Sequence, residues 1–209
     1  MHGKKKVLPE SEVRSLLSGY GVPFPQYRVL KAGFEPKSVA GAVDLDFPIA
    51  VKVSSTHVIH KSRAGGVLLD VSGRDGLEKA LIGISNRFPD SDVLVEEMVP
   101  RGLEVIVGVT EDPSFGKVIM VGLGGISANA LNDVSFRALP IEEWDAISML
   151  VDLRAKKIFE TFSKEPLVDL LRKVSGFAMC HEELDQLDLN PAILYDRSLL
   201  VVDAKMVVS

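Results

Sequence analysis

The sequence contains very little cysteine and no long apolar run, and both shortages limit what the protein can be. A single cysteine, Cys180, excludes an internal disulfide, so the chain is not a disulfide-stapled secreted domain. No apolar segment approaches the roughly 20 residues of a membrane-spanning helix or has the pattern of a secretory signal. Positive charge is not concentrated: the formal net charge is -5, and the cations are scattered apart from "GKKK" at residues 3–6. We therefore expect a cytoplasmic protein that binds neither a membrane nor nucleic acid.

What the sequence does contain is typical of a globular protein. Its 209 residues are 46% hydrophobic, which is enough to bury a core and suits two closely associated lobes. Helical periodicity predicts helices over residues 8–17, 73–88, 141–160 and 166–179. Strand patterns occur in "YRVLK", "FPIAVKVS", "DVLVEEM", "LEVIVGVT", "KVIMVG" and "VSFRAL". Because strands and helices are segregated rather than strictly alternating, the pattern predicts an α+β fold.

The chain closes with "LDLNPAILYDRSLLVVDAKMVV", which predicts a hairpin whose register can be worked out. If the turn is centred on residues 196–197, Asn190 faces Asp203 and Asp188 faces Lys205. Opposed side chains on one face have Cβ atoms about 4.5 to 5.5 Å apart. An amide oxygen and a carboxylate at that separation can share Mg²⁺, which takes one or two protein ligands beside water and phosphate oxygens. The alternative is that "NP" is only a turn signal and Asp203 an ordinary strand-end residue.

Two further features suggest contacts with a nucleotide. Lys52 lies inside an apolar strand, so its ammonium must either reach solvent or meet an anion such as a phosphate. Glu96, Glu97 and Glu104 surround the turn in "VLVEEMVPRGLEVIVG", where backbone groups could meet an adenine edge and a carboxylate could meet ribose. Surface carboxylates that simply flank a turn are the alternative for this second feature.

The stretch "VIHKSRAGGV" places a histidine, His60, beside the cations Lys61 and Arg63 and the glycines Gly65 and Gly66. A neutral imidazole can attack a phosphoryl group and carry it as a phosphoramidate. The glycines can turn backbone N–H groups towards phosphate. A solvated loop histidine with no chemical role is the competing interpretation.

Six motifs together resemble one family. The stretches "LPESEVRSLLSGYGVPFP", "FPIAVKVSS", "VIHKSRAGGV", "VEEMVPRGLEVIVGVTEDPSFGKVIMVGLGGI", "NDVSFRALPI" and "LDLNPAILY" occur in the order seen in the ATP-grasp domain of nucleoside-diphosphate-forming acyl-CoA synthetases. The chain resembles the β subunit of ADP-forming acetyl-CoA synthetase and, more distantly, the succinyl-CoA synthetase β subunit. The resemblance implies two α/β lobes of an ATP-grasp fold gripping a nucleotide. We assign residues 1–7 to a flexible segment, 8–98 to the first lobe and 99–209 to the second.

The resemblance also implies an acid–thiol ligase activity with Mg²⁺ and ATP or ADP. His60 matches a second phosphohistidine, which relays the phosphoryl group between a histidine of the partner α subunit and ADP. Lys52 matches a lysine that contacts nucleotide phosphates. The remaining matches are residues that surround the nucleotide and its metal: the glycine turn Gly65 and Gly66, the adenine linker Glu96, Glu97, Met98 and Val99, the ribose carboxylate Glu104, and the Mg²⁺ ligands Asn190 and Asp203.

Four residues of this region either depart from the family pattern or remain open. Arg63 stands where members often carry an acid, and Asn129 stands where a glutamate is expected. Both changes remove negative charge, which puts metal affinity or a second metal position in question. Arg137, in "DVSFR", is suited to neutralise charge on a transferred phosphoryl group. A structural pair between Asp133 and Arg137 is the competing interpretation.

The resemblance implies a partner as well. An α subunit with CoA-binding and ligase domains would complete the enzyme, usually as α2β2, and these 209 residues would be inactive without it. Acyl selectivity would lie mainly in that partner. Two other classes stay open: a stand-alone ATP-grasp carboxylate ligase, which has no use for a phosphorylated His60, and a catalytically silent partner subunit.

Overall fold

The computed structural model describes residues 5–58, 61–125 and 133–209. Contacts divide these residues into two compact units, one of residues 25–100 and one of residues 5–24 with 101–209. Among the described residues, no helix combines the length and apolarity that crossing a membrane requires. His60 and Asn129 lie outside the described ranges.

The secondary structure consists of helices and antiparallel strands. The strands are β1 Lys6–Val7, β2 Tyr27–Leu30, β3 Ile49–Ser54, β4 Val67–Val71, β5 Asp92–Glu97, β6 Leu103–Asp112, β7 Gly116–Leu123, β8 Val134–Ala138, β9 Leu184–Leu194, β10 Leu199–Val201 and β11 Ala204–Val208. The helices are α1 Glu10–Ser18, α2 Pro36–Ala42, α3 Gly73–Arg87, α4 Glu143–Asp152 and α5 Glu165–Cys180, with a 3₁₀ helix at Lys156–Glu160. This mixture confirms the predicted α+β class.

The smaller unit is built on a sheet of strand order β2-β5-β3-β4. Alternate residues of β3 and β5 pack with α3 in one apolar core, which includes Ile49, Val51, Val53, Val93, Val95, Leu77 and Leu81. Because successive strand residues point to opposite faces, Lys52 and Glu96 lie on the face away from α3. The buried strand therefore carries its lysine on the side that the helix does not cover.

The larger unit is built on a sheet of order β1-β11-β9-β6-β7-β8, with β10 added beside β9. Its core joins α1, α4 and α5 to one face of this sheet. The sheet residues of that core include Val105, Val107, Val109, Ile119, Val121, Leu187, Leu189, Ala204 and Met206. The amphipathic stripe predicted for α5 is confirmed, since Leu167, Leu170, Leu171, Val174 and Phe177 are buried there. The opposite face of the sheet carries the side chains that alternate with these core residues.

Several elements differ from the sequence prediction. Lys6 and Val7, which we assigned to a flexible segment, pair with Val208 and Val207 at the edge of the larger sheet. Residues 8–24 pack with the larger unit rather than the smaller one, because Leu8, Val13 and Leu17 bury in its core. The sequence prediction also missed α2 and β4, which are short and lack a clear apolar period.

The helix predicted over residues 141–160 divides after α4. The carboxylate of Asp133 accepts hydrogen bonds from the backbone N–H groups of Arg154 and Ala155, both at 2.8 Å. Backbone N–H groups that donate to a side chain no longer continue the helical ladder. The chain therefore leaves α4 at this point and forms the separate 3₁₀ helix.

A buried ion pair lies within α1, and its arginine also contacts the segment between β10 and β11. Within α1, the guanidinium of Arg14 donates to Glu10 Oε1 from Nε at 2.9 Å and from Nη2 at 2.6 Å. Nη2 also donates to the carbonyl oxygen of Val202 at 2.7 Å. The exposed fractions of the two side chains are 0% and 1%. Since Val202 directly precedes Asp203, this contact anchors the segment that carries the predicted metal ligand.

We expect Arg14→Ala to lower the free energy of unfolding by about 3–5 kcal/mol, because it leaves the Glu10 carboxylate buried without its cation. Arg172→Ala is the matched control, since Arg172 pairs with Glu143 at the surface at 3.6 Å. The control should change the stability by no more than about 1 kcal/mol. Urea unfolding of both variants measures the difference, and equal losses would contradict the assignment of Arg14 as a buried anchor.

Candidate functional site

The lysine predicted to need an anion has a carboxylate partner inside its own unit. In the sheet, Ala50 pairs with Glu96 and Lys52 pairs with Leu94, so Lys52 and Glu96 are diagonal neighbours on one face. Their side chains form an ion pair and are only 6% and 2% exposed. Of the two predicted alternatives, solvent exposure is therefore wrong, because the ammonium is buried beside an anion. That anion is a protein carboxylate, which holds the charge at a fixed place on the sheet.

The segment predicted to meet adenine is held by several hydrogen bonds. The backbone N–H of Glu97 donates to the carbonyl oxygen of Gln26, and that of Met98 donates to the carbonyl oxygen of Pro48, both at 3.0 Å. The Glu97 carboxylate accepts from the Asp46 N–H at 3.0 Å. The strand end therefore leads into residues 98–99 with a fixed backbone direction. The carboxylate of Glu96 contacts Lys52, so the ammonium balances the negative charge of Glu96.

The loop that follows His60 in sequence is closed by its own hydrogen bonds. The N–H of Gly66 donates to the carbonyl of Lys61 at 2.8 Å, and the N–H of Gly65 donates to that of Ser62 at 3.1 Å. The carbonyl of Gly66 in turn accepts from the N–H of Val53 in β3 at 2.8 Å. The sequence suggested that these glycine N–H groups face phosphate, but here they close the loop onto itself.

The glycine pair is required by close packing. Gly65 has a φ of +68°, which L side chains rarely adopt, and a Cβ there would lie 2.7 Å from Nη1 of Arg87. A Cβ on Gly66 would lie 2.4 Å from Cγ1 of Val53. The loop is thus fastened against β3 at the residues that follow His60. The predicted phosphate carrier lies directly before this fastened segment in the sequence.

The hairpin register is confirmed by the structure. Lys205 pairs with Asp188 as predicted, and Leu199 pairs with Leu194 near the turn. Between these pairs, the N–H of Asn190 donates to the carbonyl of Asp203 at 3.1 Å. Asn190 and Asp203 therefore lie opposite each other, and we call them the hairpin pair. At this point the core side chains of β9 change from odd-numbered to even-numbered residues, and those of the opposing β11 and β10 change from even-numbered to odd-numbered residues. Each side of the hairpin therefore carries one extra residue, and the register between them is preserved.

Two more charged groups accompany the hairpin pair. Nζ of Lys205 lies 3.4 Å from Oδ2 of Asp203. Burial raises the pKa of Asp188; the Lys205 ammonium opposes that shift and the Asp203 carboxylate adds to it. The three side chains thus act on one another on the sheet face away from the helices. The described residues hold no cluster of three or more acids, cysteines or histidines suited to a metal.

The same sheet face becomes apolar away from the hairpin pair. Across the strands, Asp188 pairs with Gly108, Gly108 with Met120, and Met120 with Phe136. A Cβ on Gly108 would lie 3.5 Å from Cε of Met120, so this methionine reaches over the glycine. Phe136 is 53% exposed at the end of the row. The face therefore combines carboxylate and amide oxygens with an apolar surface, a mixture that small-molecule sites commonly show.

Glu104, the predicted ribose ligand, begins the same face beside a glycine pair. Its carbonyl accepts from the N–H of Gly124 at 2.7 Å, and a Cβ on Gly125 would lie 3.0 Å from its Oε2. The two glycines therefore let the chain after β7 pass against the exposed Glu104 side chain. Its role with ribose stays a prediction.

Arg137 lies on the other face of the sheet from the hairpin pair. It pairs in register with Ile119, a core residue, and its Nη2 donates to Ser148 at 3.0 Å and to Asp152 at 2.5 Å. Asp133 is engaged separately in ending α4, so the competing interpretation of a pair between Asp133 and Arg137 is wrong. The sequence could not show this, because the partners of Arg137 come from α4.

The chain belongs to the ATP-grasp family, whose domain matches residues 1–208. More particularly, it is 35% identical to the acetate–CoA ligase [ADP-forming] I subunit beta of Pyrococcus furiosus, over 98% of this chain and 93% of that protein. It is 34% identical to the acetate–CoA ligase [ADP-forming] II of Archaeoglobus fulgidus, over 97% of this chain but only 30% of that longer protein.

A solved relative adds a chemical detail. The structure resembles that of the dinucleotide-forming acetyl-coenzyme A synthetase 1 of Ca. Korarchaeum cryptofilum, with a TM-score of 0.82 and 33% identity, covering 98% of this chain and 93% of that chain. That protein is in complex with coenzyme A and Mg-AMPPCP, and its phosphohistidine segment points towards the nucleotide binding site. The predicted ATP-grasp fold is confirmed.

We expect Gly66→Ala to destabilise the protein by about 1–3 kcal/mol, because the new methyl group overlaps Val53 and forces the loop away from β3. Gly83→Ala is the matched control: Gly83 lies inside α3 with nothing within 4 Å of a built Cβ. Removing a glycine from a helix interior stabilises by about 0.5–1 kcal/mol. Thermal unfolding compares the two variants, and a neutral Gly66→Ala would contradict the fastened loop.

Proposed function

We propose that the chain is the nucleotide-binding subunit of an ADP-forming acyl-CoA synthetase of the acetyl-CoA type. It passes a phosphoryl group through His60 between a partner subunit and ADP. The observation that carries this proposal is the likeness along nearly the whole chain to a synthetase whose phosphohistidine segment points towards its nucleotide site. In this chain, His60 directly precedes a loop that is fastened to β3.

In the smaller unit, Lys52 is the cation that meets the nucleotide phosphates. Its ammonium is already desolvated and held by Glu96, so little reorganisation is needed when a phosphate approaches. The N–H groups of Glu97 and Met98 donate within the unit, which leaves the N–H of Val99 as the expected donor to the adenine edge. Glu96 then acts through Lys52 rather than as part of the adenine linker.

In the larger unit, the hairpin pair would hold Mg²⁺. An amide oxygen and a carboxylate oxygen are hard ligands that this ion prefers, and two protein ligands leave positions for water and phosphate oxygens. The residues present therefore fit the ion. When bound, Mg²⁺ neutralises charge on the nucleotide phosphates.

The transfer itself consists of two displacements that balance. A neutral nitrogen of the His60 ring attacks the phosphorus held on the partner's histidine, a new P–N bond forms, and the old P–N bond breaks with its electrons returning to that ring. A terminal oxygen of ADP then attacks the phosphorus on His60, which forms ATP and restores the imidazole. Run in reverse, ATP drives formation of the thioester.

We infer that an α-type partner supplies the acyl and CoA chemistry, with α2β2 as the expected assembly. The name of the Pyrococcus relative as a beta subunit supports a partner. In the longer Archaeoglobus relative, the matching region is 30% of the protein, which leaves ample length for other functions in one polypeptide. Because ATP and CoA are substrates of the cytoplasm, we propose that the complex works there.

The test uses the complex with its α-type partner and measures ATP formation from acetyl-CoA, phosphate and ADP. We expect His60→Ala to lower the rate by at least about a thousandfold, because the covalent carrier is lost. His57→Ala is the matched control, since His57 is an exposed histidine three residues away. It should keep the rate within about twofold, as surface substitutions usually do.

A second readout separates the competing functions. Wild type and His57→Ala should acquire an acid-labile, base-stable phosphate label from ATP, and His60→Ala should not. Full turnover in His60→Ala would reject the relay. Turnover without any label would favour a carboxylate ligase that works without a phosphohistidine, and the absence of calorimetric heat with Mg-ADP would favour a silent subunit.

A further inference from the structure

Lys205 is a charged residue of the metal-binding face that the proposed reaction does not use. It lies on β11 directly opposite Asp188 on β9. Its Nζ lies 3.4 Å from Oδ2 of Asp203, and its side chain is 43% exposed against 24% for Asp203. The ammonium is thus next to the carboxylate of the hairpin pair and faces a second carboxylate across the strands.

The surroundings of Lys205 make its charge important. Asp188 is flanked on its other side by Gly108, which contributes no side chain, and Met120 reaches over that glycine. The apolar neighbour lowers the local polarity, so repulsion between the two carboxylates is weakly screened. The Lys205 ammonium lies beside Asp203 and on the residue opposite Asp188, so it offsets part of that repulsion.

The same ammonium opposes a metal ion. Mg²⁺ bound by Asp203 would lie close to Nζ of Lys205, and a unit charge about 5 Å from a divalent cation lowers its affinity roughly tenfold even at the dielectric constant of water. Nucleotide phosphates bring negative charge that offsets this repulsion and gives the ammonium a new partner. The net charge of the site therefore favours the ion and the nucleotide together.

We propose that Lys205 is a positioning residue that acts as the resident counter-ion of the hairpin pair, so that the site takes up Mg²⁺ with a nucleotide and not as the free ion. The inference rests on the proposed magnesium site. It assigns to Lys205 no contact with the transferred phosphoryl group. Its effect is on the order and coupling of binding.

The experiment measures Mn²⁺ binding to the full chain by electron paramagnetic resonance, with and without ADP. Without ADP, Lys205→Met should bind Mn²⁺ at least about tenfold more tightly than wild type. With ADP the difference should shrink to about threefold or less, because the negative phosphates offset the repulsion between the Lys205 ammonium and the metal ion in wild type. Lys205→Arg keeps the positive charge and should behave as wild type.

Lys173→Met is the matched control, because Lys173 also pairs with an aspartate, Asp169, at 2.6 Å on α5. It should leave Mn²⁺ binding unchanged. Thermal unfolding gives a second readout that does not depend on catalytic activity. Lys205→Met should have a lower Tm without metal and a larger metal-induced rise in Tm. A residue that only stabilised the sheet would lower the Tm without any gain in metal affinity.

The outcomes separate this inference from the proposed function. ADP-dependent Mn²⁺ binding in wild type, with an unchanged or weaker affinity in Lys205→Met, would overturn the role of Lys205 alone. No Mn²⁺ binding to either protein, even with ADP present, would overturn the magnesium site and this inference together. Tighter metal binding in Lys205→Met that disappears on adding Asp203→Asn would support both.

Discussion

The buried ion pair between Lys52 and Glu96 is the constraint on which the site in the smaller unit depends. Both side chains are nearly inaccessible to water, so either charge alone would cost several kcal/mol. The register of β3 and β5 holds the two groups as diagonal neighbours, which removes that cost without any ligand. Because apolar residues of equal size would usually give equal or greater stability, stability alone does not account for the pair, which supports the proposal that a fixed ammonium is used at this place.

The larger unit contains a similar ion pair that is more exposed to solvent. Lys205 stands beside Asp203 as Lys52 stands beside Glu96, so in both units a cation is paired with a carboxylate. The two pairs differ in burial. Lys52 is enclosed, as expected for the fixed phosphate-binding cation proposed above, while Lys205 is about half exposed, as expected for the proposed counter-ion that changes partners.

The sequence predicted the features whose physics is local or repeats along the chain. The period of α5 and the strand patterns of β3 and β6 were enough to find those elements, and the hairpin register followed from the turn position alone. An antiparallel hairpin of fixed turn determines its pairs when any extra residue in one strand is matched in the other, as it is here, so Asn190 and Asp203 could be matched without the structure. The geometry offered Mg²⁺ binding as one of two interpretations, and the family resemblance favoured it.

The sequence could not predict contacts made between distant elements. The partner of Lys52 comes from β5, some forty residues away, and the partners of Arg137 come from α4. Asp133 ends α4 by accepting two N–H groups from residues that follow the helix, which no local pattern signals. Short elements such as α2 and β4 also escaped, because they have too few residues to display a period.

The most direct test of the central claim, that Lys52 provides the phosphate-binding charge and Glu96 holds it, is calorimetry of Mg-ADP with two matched variants. Glu96→Gln keeps the ammonium and an oxygen that accepts its hydrogen bond, so affinity for ADP should stay within about fivefold of wild type. Lys52→Met combined with Glu96→Gln removes the charge without leaving a buried carboxylate unpaired, and affinity should fall by at least about thirtyfold. If the double variant binds Mg-ADP as tightly as Glu96→Gln, the ion pair is only structural and the claim is contradicted.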